Sequence, residues 1–172
     1  QHAAVRQAHL EAIQHFERGL AELAALPESP SRDKREIELE LAKGLSLLTA
    51  ESFMSTRAAQ AYTRARELAE RLNLTPPLFT AVYGLWQSTV ASGMVAGASG
   101  LSGRLLRLTE GNADDGLRLQ AHHSAWSTSM FAGEPAVALD HCEAGRRLYD
   151  PERHRSHRLL YGGHDPGVCA GC

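Results

Sequence analysis

Apolar residues recur along this chain at helical spacing almost from end to end. In the charged stretch beginning SRDKREIELELAKG at residue 31, Ile37, Leu41 and Leu45 fall on one side of a helix and the charges on the other. The same periodicity predicts helices at about 3–26, 33–50, 55–73, 76–92, 95–110, 114–132 and 134–149. PESPS at 27–31 reads as a turn or linker. Ser31 followed by Lys34 is no capping box, so the pattern leaves the start of the second helix open.

The pattern also repeats. AVYGLWQSTVASGMVAGA at 81–98 aligns with AHHSAWSTSMFAGEPAVA at 121–138. Ala81, Trp86, Gly93 and Ala98 match Ala121, Trp126, Gly133 and Ala138, each 40 residues apart, giving W-x6-G-x4-A twice. Self-similarity at such a period marks a stacked helical array. The glycine supplies the positive φ that closes the first helix. In the second copy Glu134 and Pro135 follow it, and Pro suits a first helical turn. The small alanine lets the second helix lie close to the first. Thr75, ahead of Pro76 and Pro77, and Asp115, 40 residues later, are candidate caps.

Weaker copies lie upstream. AIQHFERGLAEL from Ala12 parallels ALDHCEAGRRLY from Ala138, matching His15 with His141, Glu17 with Glu143 and Gly19 with Gly145. Ala61 opens a further such helix. The expected architecture is all-α, one domain over residues 1–172, with helix pairs at 33–73, 76–110 and 114–149 and another repeat opening at 165. The first helix has no partner on its N-terminal side. That, with Gln1 rather than Met at the start and Cys172 at the end, predicts a chain cut from a longer protein at both ends.

Helix pairs with Gly at the turn and Ala just after it resemble a tetratricopeptide-type array, which implies a right-handed α-α superhelix. The repeat here is 40 residues against the family's ~34. Trp86 and Trp126 stand where that family has a small residue, so the helices are expected to splay, and "tetratricopeptide-like" describes them. The phrases AIQHFERGLAELAALPESPSRDKREIELELAKG, AYTRARELAERL, GLW, RRLYDPERHRSH and LYGGHDPGVC are similar to the helical-repeat region of large bacterial multidomain signalling proteins. Those join a class III adenylate/guanylate cyclase or another output domain to an AAA-type ATPase, followed by repeats. The resemblance implies a regulatory or scaffolding module, with the cyclase and ATPase residues outside this chain.

Composition supports the helices: alanine and leucine abound, and aromatics are 6%. A formal net charge of −2 makes no call for nucleic acid or an anionic membrane. No apolar run approaches the ~20 residues of a membrane span. Three cysteines, an odd number, predict reduced thiols and a cytoplasmic location.

Several clusters invite chemistry. In YGGHDPGVCAGC at 161–172, Asp165 and Pro166 read as cap and first turn of a new helix, placing Cys169 and Cys172 on one face. With His164 and His157 these cysteines make a candidate tetrahedral zinc set. The plainer alternative is that they pack the next repeat, with no cofactor bound. In HHSAW at 122–126 the adjacent histidines point ~100° apart, so they cannot share a ligand; one is expected exposed, the other toward a neighbouring helix. By the tetratricopeptide resemblance, Tyr83, Gln87, His123 and Ser127 line a groove for a peptide or another domain, while Trp86 and Trp126 are core. GASGLSG at 97–103 lacks the phosphate-loop spacing and lysine, so its glycines predict close helix contact or a weak helix. Five arginines against two acids at 146–158 read as a solvated or interdomain surface. No G-x-S-x-G is present.

The expectation is a non-catalytic interaction module whose partners are a peptide or other domains of its parent. Self-association through an array end is a further expectation. Two alternatives stand beside it: a metal-binding or redox module at the C-terminal His/Cys cluster, and a small-molecule sensor near Trp86 and Trp126.

Overall fold

A computed structural model describes residues 2–157 and Tyr161. Its regular structure is entirely helical, and no strand occurs among the described residues. The helices are α1 (His2–Ala24), α2 (Pro30–Ala50), α3 (Thr56–Arg71), α4 (Thr75–Ala91), α5 (Val95–Leu108), α6 (Asp115–Phe131), α7 (Pro135–Leu148) and the short α8 (Pro151–His154). Each of the seven helices read from the sequence is present within about three residues of its expected ends. Contacts divide the chain into two compact units, residues 1–88 and 89–172.

Local chemistry sets the helix ends. The turn glycines behave as the repeat requires: Gly93 has φ +73° and Gly133 φ +76°. One helix start that the pattern left open is now fixed, and the two expected caps, Thr75 and Asp115, lie one residue inside their helices. The second helix is opened by Ser29, whose Oγ accepts from the Arg32 N–H, with Pro30 in the first turn. The α6 cap is Asp114, not Asp115: Asp114 Oδ1 accepts from the N–H groups of Gly116 and Leu117. Asp115 lies one residue inside the helix and pairs with Arg118 at 3.2 Å. Thr75 is likewise already the first residue of α4.

In the first unit, α1, α2 and α3 pack in sequence around Ile13, Leu47, Leu48, Ala50, Ala58 and Tyr62. The Tyr62 ring lies between two helices that have glycine at the point of approach. A Cβ on Gly44 of α2 would stand 2.8 Å from its Cζ, and one on Gly84 of α4 only 2.4 Å. Burial raises the Tyr62 pKa, so the phenol is neutral at physiological pH. In the second unit, α6 packs against α5 and α7, and Leu119, Trp126 and Ala138 form the core with Cys142, Leu148 and Tyr149. Trp126 lies on bare backbone: a Cβ on Gly145 would meet its Cζ3 at 2.5 Å. Trp86 and Trp126 are both buried, as are Ala98 and Ala138.

Of the three glycines in 97–103, only Gly97 makes a close approach, to Thr89 Cγ2 at 3.2 Å from its ideal Cβ. Gly100 faces open space, and α5 is helical from Val95 onward.

The glycines therefore separate into two classes with opposite expected effects. Gly84→Ala drives a methyl into the Tyr62 ring and should lower unfolding stability by about 1–3 kcal/mol. Gly100→Ala, in a helix with room for the methyl, should raise it by about 0.5–1 kcal/mol. Urea denaturation followed by helical ellipticity measures both; equal shifts for the two would show that Tyr62 does not depend on a bare backbone.

Candidate functional site

Two places gather polar side chains, one in each unit. In the first unit, α1, α2 and α3 border a cleft of about 300 Å³ lined by Glu17, Glu40, Lys43, Arg57, Gln60 and Arg64, with Leu47 and Ala61 between them. These residues share it because α2 offers its Glu40–Lys43 turn while α1 and α3 present polar faces to either side. Arg57 Nη2 reaches Glu17 of α1 at 2.9 Å, and its Nη1 pairs with Glu51. Arg64 Nε donates to Glu36 at 2.6 Å. Lys43 Nζ stands 2.7 Å from the buried Glu40 carboxylate, an ion pair rather than an aligned hydrogen bond. The hydrogen bond that Arg57 donates to Glu17 raises its pKa, and the one that Arg64 donates to Glu36 raises that of Arg64, so both stay cationic. The cleft thus presents alternating charges, each held in place by an internal partner.

In the second unit α6 brings histidines to both its sides. His122 faces α7, with its Nδ1 3.0 Å from Nδ1 of His141 and ring centroids 5.3 Å apart. His123 turns the other way, its Nδ1 3.4 Å from Gln120 Oε1 and its ring 4.9 Å from that of Trp126. Gln120 Nε2 lies 3.0 Å from His157 Nδ1. His157 fits against α6 at Gly116, where a Cβ would stand 2.8 Å from its Cε1. His154 is buried, and its Nδ1 accepts from the Asp150 backbone N–H at 2.9 Å. Asp150 in turn caps α8, accepting from the N–H groups of Arg153 and Glu152, which lowers its carboxyl pKa.

The expected ~100° divergence of His122 and His123 is present, but neither is exposed: His122 is half-buried and His123 buried. Burial, then the neighbouring His141, then Arg118 lower the His122 pKa from its ordinary 6.5. Beside it a cleft of about 520 Å³ is lined by Leu106, Thr109, Glu110, Asn112, Arg118 and His122.

The four groove residues read from the resemblance fall mostly inside. Tyr83 is 1% exposed, stacking on Phe79 and tilting against Trp86, and Gln87 and His123 are each 5% exposed; Ser127 is half-buried. The reason for His123 is visible in α6, where Gln120, Ala121, Ser124, Ala125 and Thr128 are buried too, so that helix keeps almost no free face. Of the candidate zinc set, only His157 belongs to the described residues; His164, Cys169 and Cys172 lie outside them. Among the described residues no three His, Cys, Asp or Glu side chains converge as metal ligands, and no helix is long and apolar enough to cross a membrane. The sequence reading missed the α1–α2–α3 cleft and the His122–His141 pair. For the pair a signal existed: both histidines sit at i+3 of the apolar rows Leu119–Trp126 and Ala138–Gly145.

No protein-family model matches the chain, and no solved structure matches it. It is similar to an uncharacterized protein of Rhizobium meliloti (strain 1021), 28% identical over 165 residues, which is 95% of this chain. The chain spans only about a sixth, 16%, of the length of that curated relative.

Proposed function

We propose that this chain is a tetratricopeptide-like helical-repeat module, a right-handed α-α superhelix, within a large multidomain signalling protein of the cyclase and AAA-type ATPase kind. It has no catalytic role of its own. It presents a polar cleft to a peptide or to another domain of its parent, and occupation of the cleft biases the positions of the neighbouring domains.

One observation carries the repeat reading: Gly93 and Gly133, 40 residues apart, both adopt the left-handed turn conformation, each followed at the same distance by a buried alanine. The length of the Rhizobium meliloti relative, about six times the matched region, suits a module of a multidomain protein. The α1–α2–α3 cleft is a better groove than the four residues first assigned, because its charged groups reach solvent. Arg57 and Arg64 side chains are 47% and 42% exposed.

Two measurements test this. Solution scattering from the purified chain should fit an elongated curved stack; a globular profile would sink the superhelix. Charge reversal tests the cleft. Arg57→Glu with Arg64→Glu should leave helical content intact and change stability by no more than about 1–2 kcal/mol, since exposed pairs contribute ~0.2–1 kcal/mol each. The same change should weaken binding to the other segments of the parent polypeptide by at least tenfold, read by fluorescence anisotropy. Binding that ignores both reversals would refute the cleft as the recognition surface.

A further inference from the structure

The seam between α6 and α7 is built in layers. Leu119, His122 and Trp126 stand at i, i+3 and i+7 on α6, and Ala138, His141 and Gly145 repeat that spacing on α7. Leu119, Trp126 and Ala138 are packed together, and the Trp126 ring lies on Gly145. The middle position of each row is a histidine, and the two Nδ1 atoms meet at 3.0 Å. Forty residues earlier the repeat keeps Trp86 and Ala98 in place of Trp126 and Ala138, but carries Val82 and Leu101 in place of the histidines. This copy therefore carries titratable residues at two positions where the sister sequence carries apolar ones.

A contact between two imidazole nitrogens needs one N–H and one lone pair. A neutral pair supplies them, and so does a singly protonated one. A doubly protonated pair does not: both nitrogens carry hydrogens, and two like charges face each other in a half-buried seam. Arg118, one turn back on α6, adds a third positive charge. Glu110, from the turn after α5, is the acid that shares the adjoining cleft with Arg118 and His122, and Cys142 packs beside the seam on α7.

The lowered His122 pKa agrees in sign with this geometry. A base whose folded pKa lies below its unfolded value is protonated first in the unfolded chain. Its contribution to stability is whole above about pH 6.5 and is lost as pH falls further.

We propose that the His122–His141 pair makes the α6–α7 seam an acid-sensitive joint, closed at neutral pH and loosened when the second proton enters. The joint is a property of the seam itself and holds whatever partner the cleft in the first unit takes.

The sister repeat supplies the test variant, His122→Val with His141→Leu. Thermal unfolding of the full chain is followed by ellipticity at about pH 7.5 and about pH 5. The wild-type midpoint should fall by about 2–4 °C more than the variant's, the shift that a loss of ~1 kcal/mol produces in a domain of this size. Equal falls would overturn the proposal, because the other histidines would then carry the whole pH response. If the variant does not fold, imidazole nitrogen NMR on the wild type decides. The pair should take up its two protons in separated steps, the second below the ordinary histidine range. Two independent titrations near ~6.5 would overturn the joint.

Discussion

A ring seated on bare backbone organises both units. Tyr62 fills the space where Gly44 and Gly84 have no side chains, and Trp126 does the same at Gly145. Helices ordinarily meet at 8–10 Å through interdigitated side chains. Here one large planar group replaces several smaller ones, and the helix that receives it must present glycine. The exchange costs about 1 kcal/mol of helix propensity per glycine. It gains the burial of an aromatic side chain, whose contact area dominates a small core. Because close packing leaves no slack, a methyl at any of these glycines is felt by the whole seam.

That constraint explains which features of the sequence were legible. Helix existence follows from periodicity, a property of each segment alone, and the seven expected spans agree with the structure. The turn glycines Gly93 and Gly133 were legible because a positive φ demands glycine locally. Gly44, Gly84 and Gly145 were not, because their requirement comes from a ring on another helix. At 97–103 the expected close contact is made by Gly97, against Thr89, while Gly100 meets nothing. The α6 cap was misplaced by one residue because Asp114 and Asp115 are chemically equivalent until the backbone chooses. Ser29 had a readable signal in the proline that follows it.

The candidate site was less legible, and α6 shows why. Its buried positions include Gln120, Ser124, Thr128 and His123, the last of which the tetratricopeptide resemblance places in a groove. They survive burial by bonding within their own helix or to near neighbours. Ser124 Oγ donates to the Ala121 carbonyl at 2.7 Å, and Thr128 Oγ1 to that of Ser124 at 2.7 Å. Gln120 spans His123 and His157. Short hydroxyl side chains can satisfy themselves this way without a partner helix. A central helix can therefore look amphipathic in sequence while being covered on nearly every side.

The two units consequently manage polarity in opposite ways. The first pairs its cleft charges with neighbours, and those of Arg57, Arg64 and Glu17 reach solvent, so a ligand can exchange one of these ion pairs for another at little net cost. The second draws titratable groups inward, with His123 and His154 buried and His122 and His141 half-buried. Specific binding suits the first arrangement, because complementary charges select a partner while the scaffold stays intact. Sensitivity to conditions suits the second, because imidazole is the side chain whose charge changes nearest physiological pH, and the His122–His141 contact cannot accept two protons without placing like charges face to face. The chain keeps the two arrangements in different compact units.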